Sequence, residues 1–140
     1  GGIGTDNRQE YKIEIEKFGL EDRIIFLDNV EFVELPELYE SASIFLYPSV
    51  FEGFGIPILE ALYSRTPVIA ATGSCLEEAG GPNSIYVDPT DYLRLALEID
   101  RVLNDESLQT TMKEKGYEYA KNFSMDKHAK EVLAIYKELV

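Results

Sequence analysis

The stretch "YPSVFEGFGIPILEALYSRTPVIAA", residues 47–71, decides how this chain is read. It leads from the end of one apolar, β-rich run into a glycine bend, a short helical segment and a second β-rich run. Gly53 and Gly55 bracket Phe54. Glycine lets the backbone take positive φ and lets another group approach the peptide plane closely. Pro57 suits the first turn of a helix, because its fixed φ is already helical and its missing N–H would find no partner there. The helix therefore starts at residue 56 or 57, directly after the bend. Such a strand, bend and helix start place free amides and the positive end of a helix dipole at the carboxyl end of a sheet. Open α/β sheets bind phosphates there.

Two glutamates flank the bend. Glu52 sits on the loop at its mouth, and Glu60 sits about one turn into the helix among Ile58, Leu59, Ala61 and Leu62. Those neighbours half-bury Glu60, and an unpaired buried carboxylate is costly and tends to protonate. It needs donors, which a pair of sugar hydroxyls would provide. A glutamate near a helix start is also favoured by the dipole alone, and loops often carry acids. At this level a ligand site and a purely structural use both stay open.

Working outward, four nearly continuous apolar runs read as strands covered on both faces: 23–28, 43–48, 67–71 and 84–88. Helical patterns lie between them at 8–18, 34–42, 56–65 and 75–80. Strict alternation of strand and helix implies a parallel sheet with crossover helices, hence a Rossmann-like α/β layer structure. After Asp88 the periodicity is all helical. Asn104-Asp105 ends one helix and caps the next, and Ser124 opens the last. That last helix carries an apolar stripe of Ala129, Val132, Leu133, Ile135, Tyr136 and Leu139. The expected organisation is one partial domain over 1–140, Rossmann-like over 1–89 and helical over 90–140.

Composition narrows the function. At 140 residues, 45% hydrophobic and 28% charged, the chain has the size and balance of one folded domain. No apolar run approaches the ~18–20 residues that span a bilayer. The net charge of −13 argues against nucleic-acid binding, which rests on concentrated basic patches. An anionic ligand would have to be held by local dipoles or by cations supplied elsewhere. No motif offers a metal site. The single cysteine, Cys75, reads as a loop or helix-start residue in a reducing, cytoplasmic protein. His128, the single histidine, reads as a surface or packing residue, and Tyr39, Tyr47 and Tyr92 as core-edge aromatics.

"YPSVFEGFGIPILEAL" strongly resembles the signature of retaining glycosyltransferases of the group 1 (family 4) class, which have the GT-B fold. In that class two glutamates with seven residues between them flank a G-F-G turn, as Glu52 and Glu60 do here. "EDRIIFLDNVEFVELPELYESASIFLYPS" resembles the approach to that signature. "PVIAATGSCLEEAGGPNSIYVDPTD" and "NFSMDKHAKEVLAIYKEL" resemble its continuation and closing helix.

The resemblance implies that Glu60 holds the ribose hydroxyls of a nucleotide-diphosphate sugar and that Glu52 contacts hydroxyls of the transferred sugar near the reacting carbon. It implies that the amides of Gly53, Phe54, Gly55 and Ile56 face the sugar and diphosphate. Glu78 matches a further glutamate of the class, for which a structural role is at least as good a reading. The reaction implied is metal-independent, retaining transfer of a hexose, with a lean toward mannose, to a glycan or lipid-linked acceptor, as in polysaccharide biosynthesis. Alternatives are a catalytically silent nucleotide-sugar-binding or scaffolding module and a GT-B nucleotide-sugar epimerase. The resemblance leaves open peripheral association of the full-length protein with the inner face of the membrane.

Under the resemblance, the basic pair that grips the diphosphate and the acceptor-binding domain both fall outside this chain, which reads as a fragment lacking the first strands of its sheet. The runs at 23–28 and 43–48 would then flank a gap with unpaired apolar edges. Residues 1–140 alone are accordingly expected to show no cooperative thermal unfolding; a sharp calorimetric transition would contradict the missing strands.

Overall fold

The computed structural model describes residues 8–138; the turn expected over "GGIGTDN" (1–7) and Leu139 of the closing stripe lie outside the described residues. Helix α1 (Arg8–Lys17) leads through a short 3-10 turn at Glu21–Arg23 into residues 24–28. The strand expected over 23–28 does not form. A strand exists through its ladder partner, whatever the β-propensity of its residues. Without one, Ile25 is left 82% exposed and Leu27 60% exposed. The Arg8 guanidinium makes a two-pronged ion pair with Asp28, at 2.8 and 2.6 Å. The chain divides after Glu31, residues 1–31 forming one unit and 32–140 a second.

In the second unit the described residues build a three-stranded parallel sheet in the order β1-β2-β3. Its strands are β1 (Phe45–Tyr47), β2 (Val68–Ala71) and β3 (Ile85–Val87). Register runs Phe45 opposite Val68 and Ile69 opposite Ile85. Parallel neighbours need crossover segments. Helix α3 (Ile56–Tyr63) supplies the first and α4 (Leu76–Gly80) the second, while α2 (Leu35–Ser41) precedes β1. The central strand β2 is buried at every position. Alternation of its side chains feeds two cores. Val68 and Ala70 pack with Ile58, Ala61, Leu62, Leu76 and Ala79 on one face. Ile69 packs with Val87, Val102 and Met112 on the other.

Those last two residues belong to α5 (Tyr92–Asn104) and α6 (Glu106–Ala120). Asp91 caps α5 by accepting from the Arg94 amide at 2.9 Å, and Asp105 caps α6 through the Leu108 amide at 2.8 Å. Satisfying an otherwise orphaned amide in this way contributes about 1 kcal/mol. Within α5, Glu98 is buried between Arg94 and Arg101, which both pair with it. Helix α7 (Met125–Glu138) buries none of its residues; Leu133, Ile135 and Tyr136 of the expected stripe are exposed. Periodicity foretells which face is apolar, and says nothing of what covers it.

Gly55 fixes where α3 begins. It has φ 104° and ψ 43°, the left-handed region that L side chains avoid. A Cβ there would also lie 2.9 Å from Leu76 Cδ2 and 3.2 Å from Ala79 Cβ. Gly55→Ala combines both penalties and is expected to destabilise the fold by about 2 kcal/mol or more, measured in the complete transferase as a lowered urea midpoint with an unchanged m-value.

Candidate functional site

Strand β1 delivers the chain to the loop at 48–55, and α3 takes it away. Between them Glu52 is half-buried at the mouth, Phe54 turns its side chain inward, and Gly55 serves as the N-cap residue. Phe54 packs on Phe123 with ring centroids 5.7 Å apart, and Phe123 in turn lies 5.5 Å from Tyr119. No side chain caps α3, and Pro57 in its first turn has no N–H to satisfy. Ile56 is exposed at the helix start. Gly53 has open space where a Cβ would point, so nothing in the described residues demands a glycine there.

Both glutamates have a tyrosine partner. The Tyr47 hydroxyl donates to Glu52 Oε1 at 2.7 Å, and the Ser49 hydroxyl donates to the same oxygen at 2.8 Å. These bonds, Tyr47 first and Ser49 second, hold the Glu52 carboxyl below the ordinary glutamate range. The Tyr39 hydroxyl donates to Glu60 Oε2 at 3.1 Å. Burial, aided by the Glu60 charge, pushes the Tyr39 phenol up to about 12. Burial and the hydrogen bond to Glu52 do the same for Tyr47. Both phenols therefore stay protonated, as donors, across the physiological range.

Phe45 of β1 connects the two arrangements. Its ring meets Tyr39 edge-on at 5.1 Å and stacks with Tyr47 at 5.7 Å. The Tyr39 backbone is tied in turn, its carbonyl accepting from Thr66 Oγ1 at 2.6 Å. Glu60 also lines a hollow of about 260 Å³ with Phe32, Pro36, Tyr39, Tyr63 and Ser64. Glu52 is not among the residues lining that hollow. The two carboxylates are thus linked through an aromatic row.

The remaining candidates separate from this cluster. Cys75 directs its thiol to the Glu52 carbonyl at 3.3 Å, fastening the loop to the start of α4. The Glu78 side chain is exposed, and its carbonyl accepts from the Tyr119 hydroxyl at 2.7 Å. Tyr92 and His128 are exposed on α5 and α7. Arg65 stacks its guanidinium on Tyr117, 4.1 Å from the ring centroid. Among the described residues no group of three metal-ligating side chains assembles, and no helix is long and apolar enough to cross a membrane.

The part sequence reasoning missed is the hydroxyl of each tyrosine. A half-buried tyrosine needs a partner for its O–H. Tyr47, five positions before Glu52, is the available signal for one bond; Tyr39 lies 21 positions from Glu60 and offers none.

The family described as glycosyl transferases group 1 matches residues 2–119. The chain belongs to that family. It is 34% identical over 125 residues to O-antigen chain mannosyltransferase B of Escherichia coli, covering 89% of this chain and 33% of that protein. It is 34% identical over 124 residues to a D-inositol 3-phosphate glycosyltransferase of Salinispora tropica, covering 87% and 26%. Among solved structures, sucrose-phosphate synthase from Thermosynechococcus elongatus superposes with a TM-score of 0.83 at 28% identity, covering 99% of this chain and 36% of that one. This group 1 chain thus spans about a third or less of the length of the curated relatives described, and it has the α/β fold of GT-B C-terminal domains.

Glu52 owes its lowered pKa first to the Tyr47 hydroxyl. The stabilisation this lends the folded state is present above the ordinary glutamate pKa and is lost as pH falls through the lowered folded value. Tyr47→Phe is expected to move the Glu52 titration upward, toward the ordinary value, in a carboxyl-carbon NMR titration. An unmoved midpoint would mean that the hydrogen bond contributes nothing in solution.

Proposed function

We propose that this chain is the donor-binding part of a retaining glycosyltransferase that transfers a hexose from a nucleotide-diphosphate sugar. The observation that carries the reading is the bend at Gly53–Gly55 between β1 and the uncapped start of α3, with a half-buried, tyrosine-bonded carboxylate on each side. Glu60 accepts from the ribose hydroxyls. Glu52 accepts from hydroxyls of the transferred sugar. The amides of Gly53, Phe54, Gly55 and Ile56, with the α3 dipole behind them, face the sugar and diphosphate.

Such a site works by holding reactants in place and stabilising charge on the departing diphosphate, with no protein nucleophile required. A helix start supplies at most about 2 kcal/mol toward an anion. In a chain of net charge −13 the larger share is assigned to cations outside residues 1–140. Arg65 is no substitute, being committed to Tyr117.

Three relatives bear names that point to different acceptors or products: an O-antigen chain mannosyltransferase, a D-inositol 3-phosphate glycosyltransferase and a sucrose-phosphate synthase. That spread supports a shared donor role for the common segment and leaves the acceptor to other residues. The mannosyltransferase among them favours mannose as the hexose.

Two substitutions test the assignment in the complete transferase, assayed against UDP- and GDP-sugars. Glu60→Ala is expected to raise the donor KM. Glu52→Ala is expected to lower kcat by more than tenfold, a loss above ~1.4 kcal/mol in the barrier. Wild-type kinetics for both variants at limiting donor would remove the site from this loop.

A further inference from the structure

The tyrosines of the described core fall into two groups by what their hydroxyls do. Tyr86 donates to the Gly81 carbonyl and Tyr119 to the Glu78 carbonyl, each at 2.7 Å. Those bonds fasten one stretch of backbone to another. Tyr39 and Tyr47 instead give their hydroxyls to the carboxylates that flank the glycine bend. The ring row with Phe45 needs only aromatic faces and edges, so phenylalanine at either position would satisfy the packing. The hydroxyls are extra, and they are aimed.

At Glu52 the aim is specific. Two donors, from Tyr47 and Ser49, converge on the single oxygen Oε1. An ionised carboxylate has about four acceptor positions over its two oxygens. Concentrating these two donors on one oxygen fixes the plane of the group, and among the described residues no hydrogen bond to Oε2 competes with a donor from outside. At Glu60 a single tyrosine bond reaches one oxygen, while the side chain lines the hollow beside α2 and α3.

We propose that Tyr47 with Ser49, and Tyr39, are positioning residues that aim Glu52 and Glu60 respectively at hydroxyl groups of the donor. The proposal rests on the donor-site reading above and extends it to side chains that make no contact with substrate. Its chemistry is one-directional. Each carboxyl group has one oxygen engaged by hydroxyl donors, so each selects a neutral hydroxyl donor over an anionic group. Because Phe45 touches both tyrosine rings, the two aimed acids share one support, and disturbing that ring would loosen both.

The test uses the complete transferase with GDP-mannose and UDP-glucose as donor probes. Tyr47→Phe combined with Ser49→Ala removes both donors to Glu52 and keeps the ring. It is expected to lower kcat about tenfold with donor KM changed less than about twofold, since small misplacement of a reacting-centre group costs up to ~100-fold. Tyr39→Phe is expected to raise donor KM about fivefold with kcat retained, the pattern of lost uniform binding. Tyr86→Phe, which removes a hydroxyl bound to backbone, serves as the comparison and is expected to change Tm without altering kcat or KM.

If the Tyr39 and Tyr47/Ser49 variants behave like Tyr86→Phe while Glu52→Ala and Glu60→Ala still lose kcat and donor affinity, the positioning role is overturned and the donor site stands. If the two alanine variants are themselves unaffected, both readings fall together. A loss of rate that follows the fraction of folded protein, and vanishes on cooling, also counts against positioning.

Discussion

A backbone turn that only glycine can make organises this fold. Gly55 holds a left-handed conformation while lying against Leu76 and Ala79 of α4. Both conditions exclude a side chain, one through torsional strain and the other through contact. Because the residue is pinned against the neighbouring crossover helix, α3 can start at only one place and in one direction. Ile58, Ala61 and Leu62 then fall on the β2 core, and Glu60 on the same helix meets Tyr39. The position of an ionisable group is thereby inherited from the position of an apolar contact.

The cost of placing acids beside an apolar layer is met locally. Among the described residues neither glutamate has a cation as its hydrogen-bonded partner; each has a phenol or hydroxyl. Neutral donors stabilise a carboxylate without neutralising it. A lysine or arginine in the same place would have neutralised it. Elsewhere the chain does use cations: Glu98, buried on α5, is flanked by Arg94 and Arg101. The contrast separates an acid tied to two cations within one helix from acids tied to neutral hydroxyls.

Much of this was legible from residues alone, for identifiable reasons. The runs around Phe45–Tyr47, Val68–Ala71 and Ile85–Val87 are apolar on both faces, and a strand between two helical layers has to be. Asp105 and Ser124 announce helix starts because their side-chain oxygens bond amides three residues on. The run at 23–28 has the same β-rich composition and forms no strand, since a ladder depends on a partner that local sequence does not encode. The tyrosine bonds escaped for a related reason. Tyr39 and Glu60 are 21 positions apart, and their meeting depends on how α2 and α3 pack. A hydroxyl's need for a partner can be read from sequence; the identity of that partner required the fold.

Phe54 has a further consequence. Its ring is held by Phe123, which touches Tyr119, whose hydroxyl reaches back to the Glu78 carbonyl on α4. A closed circuit of contacts therefore runs from the glycine bend through the end of α6 and back to the helix packed under Gly55. The helices beyond the sheet act as a buttress, and a bend of two glycines that would otherwise sample many shapes is tensioned from a point nearly seventy positions downstream. Drift in the residues around 119–123 would alter the geometry of the loop without touching it, so sequence change there is coupled to whatever the loop must hold.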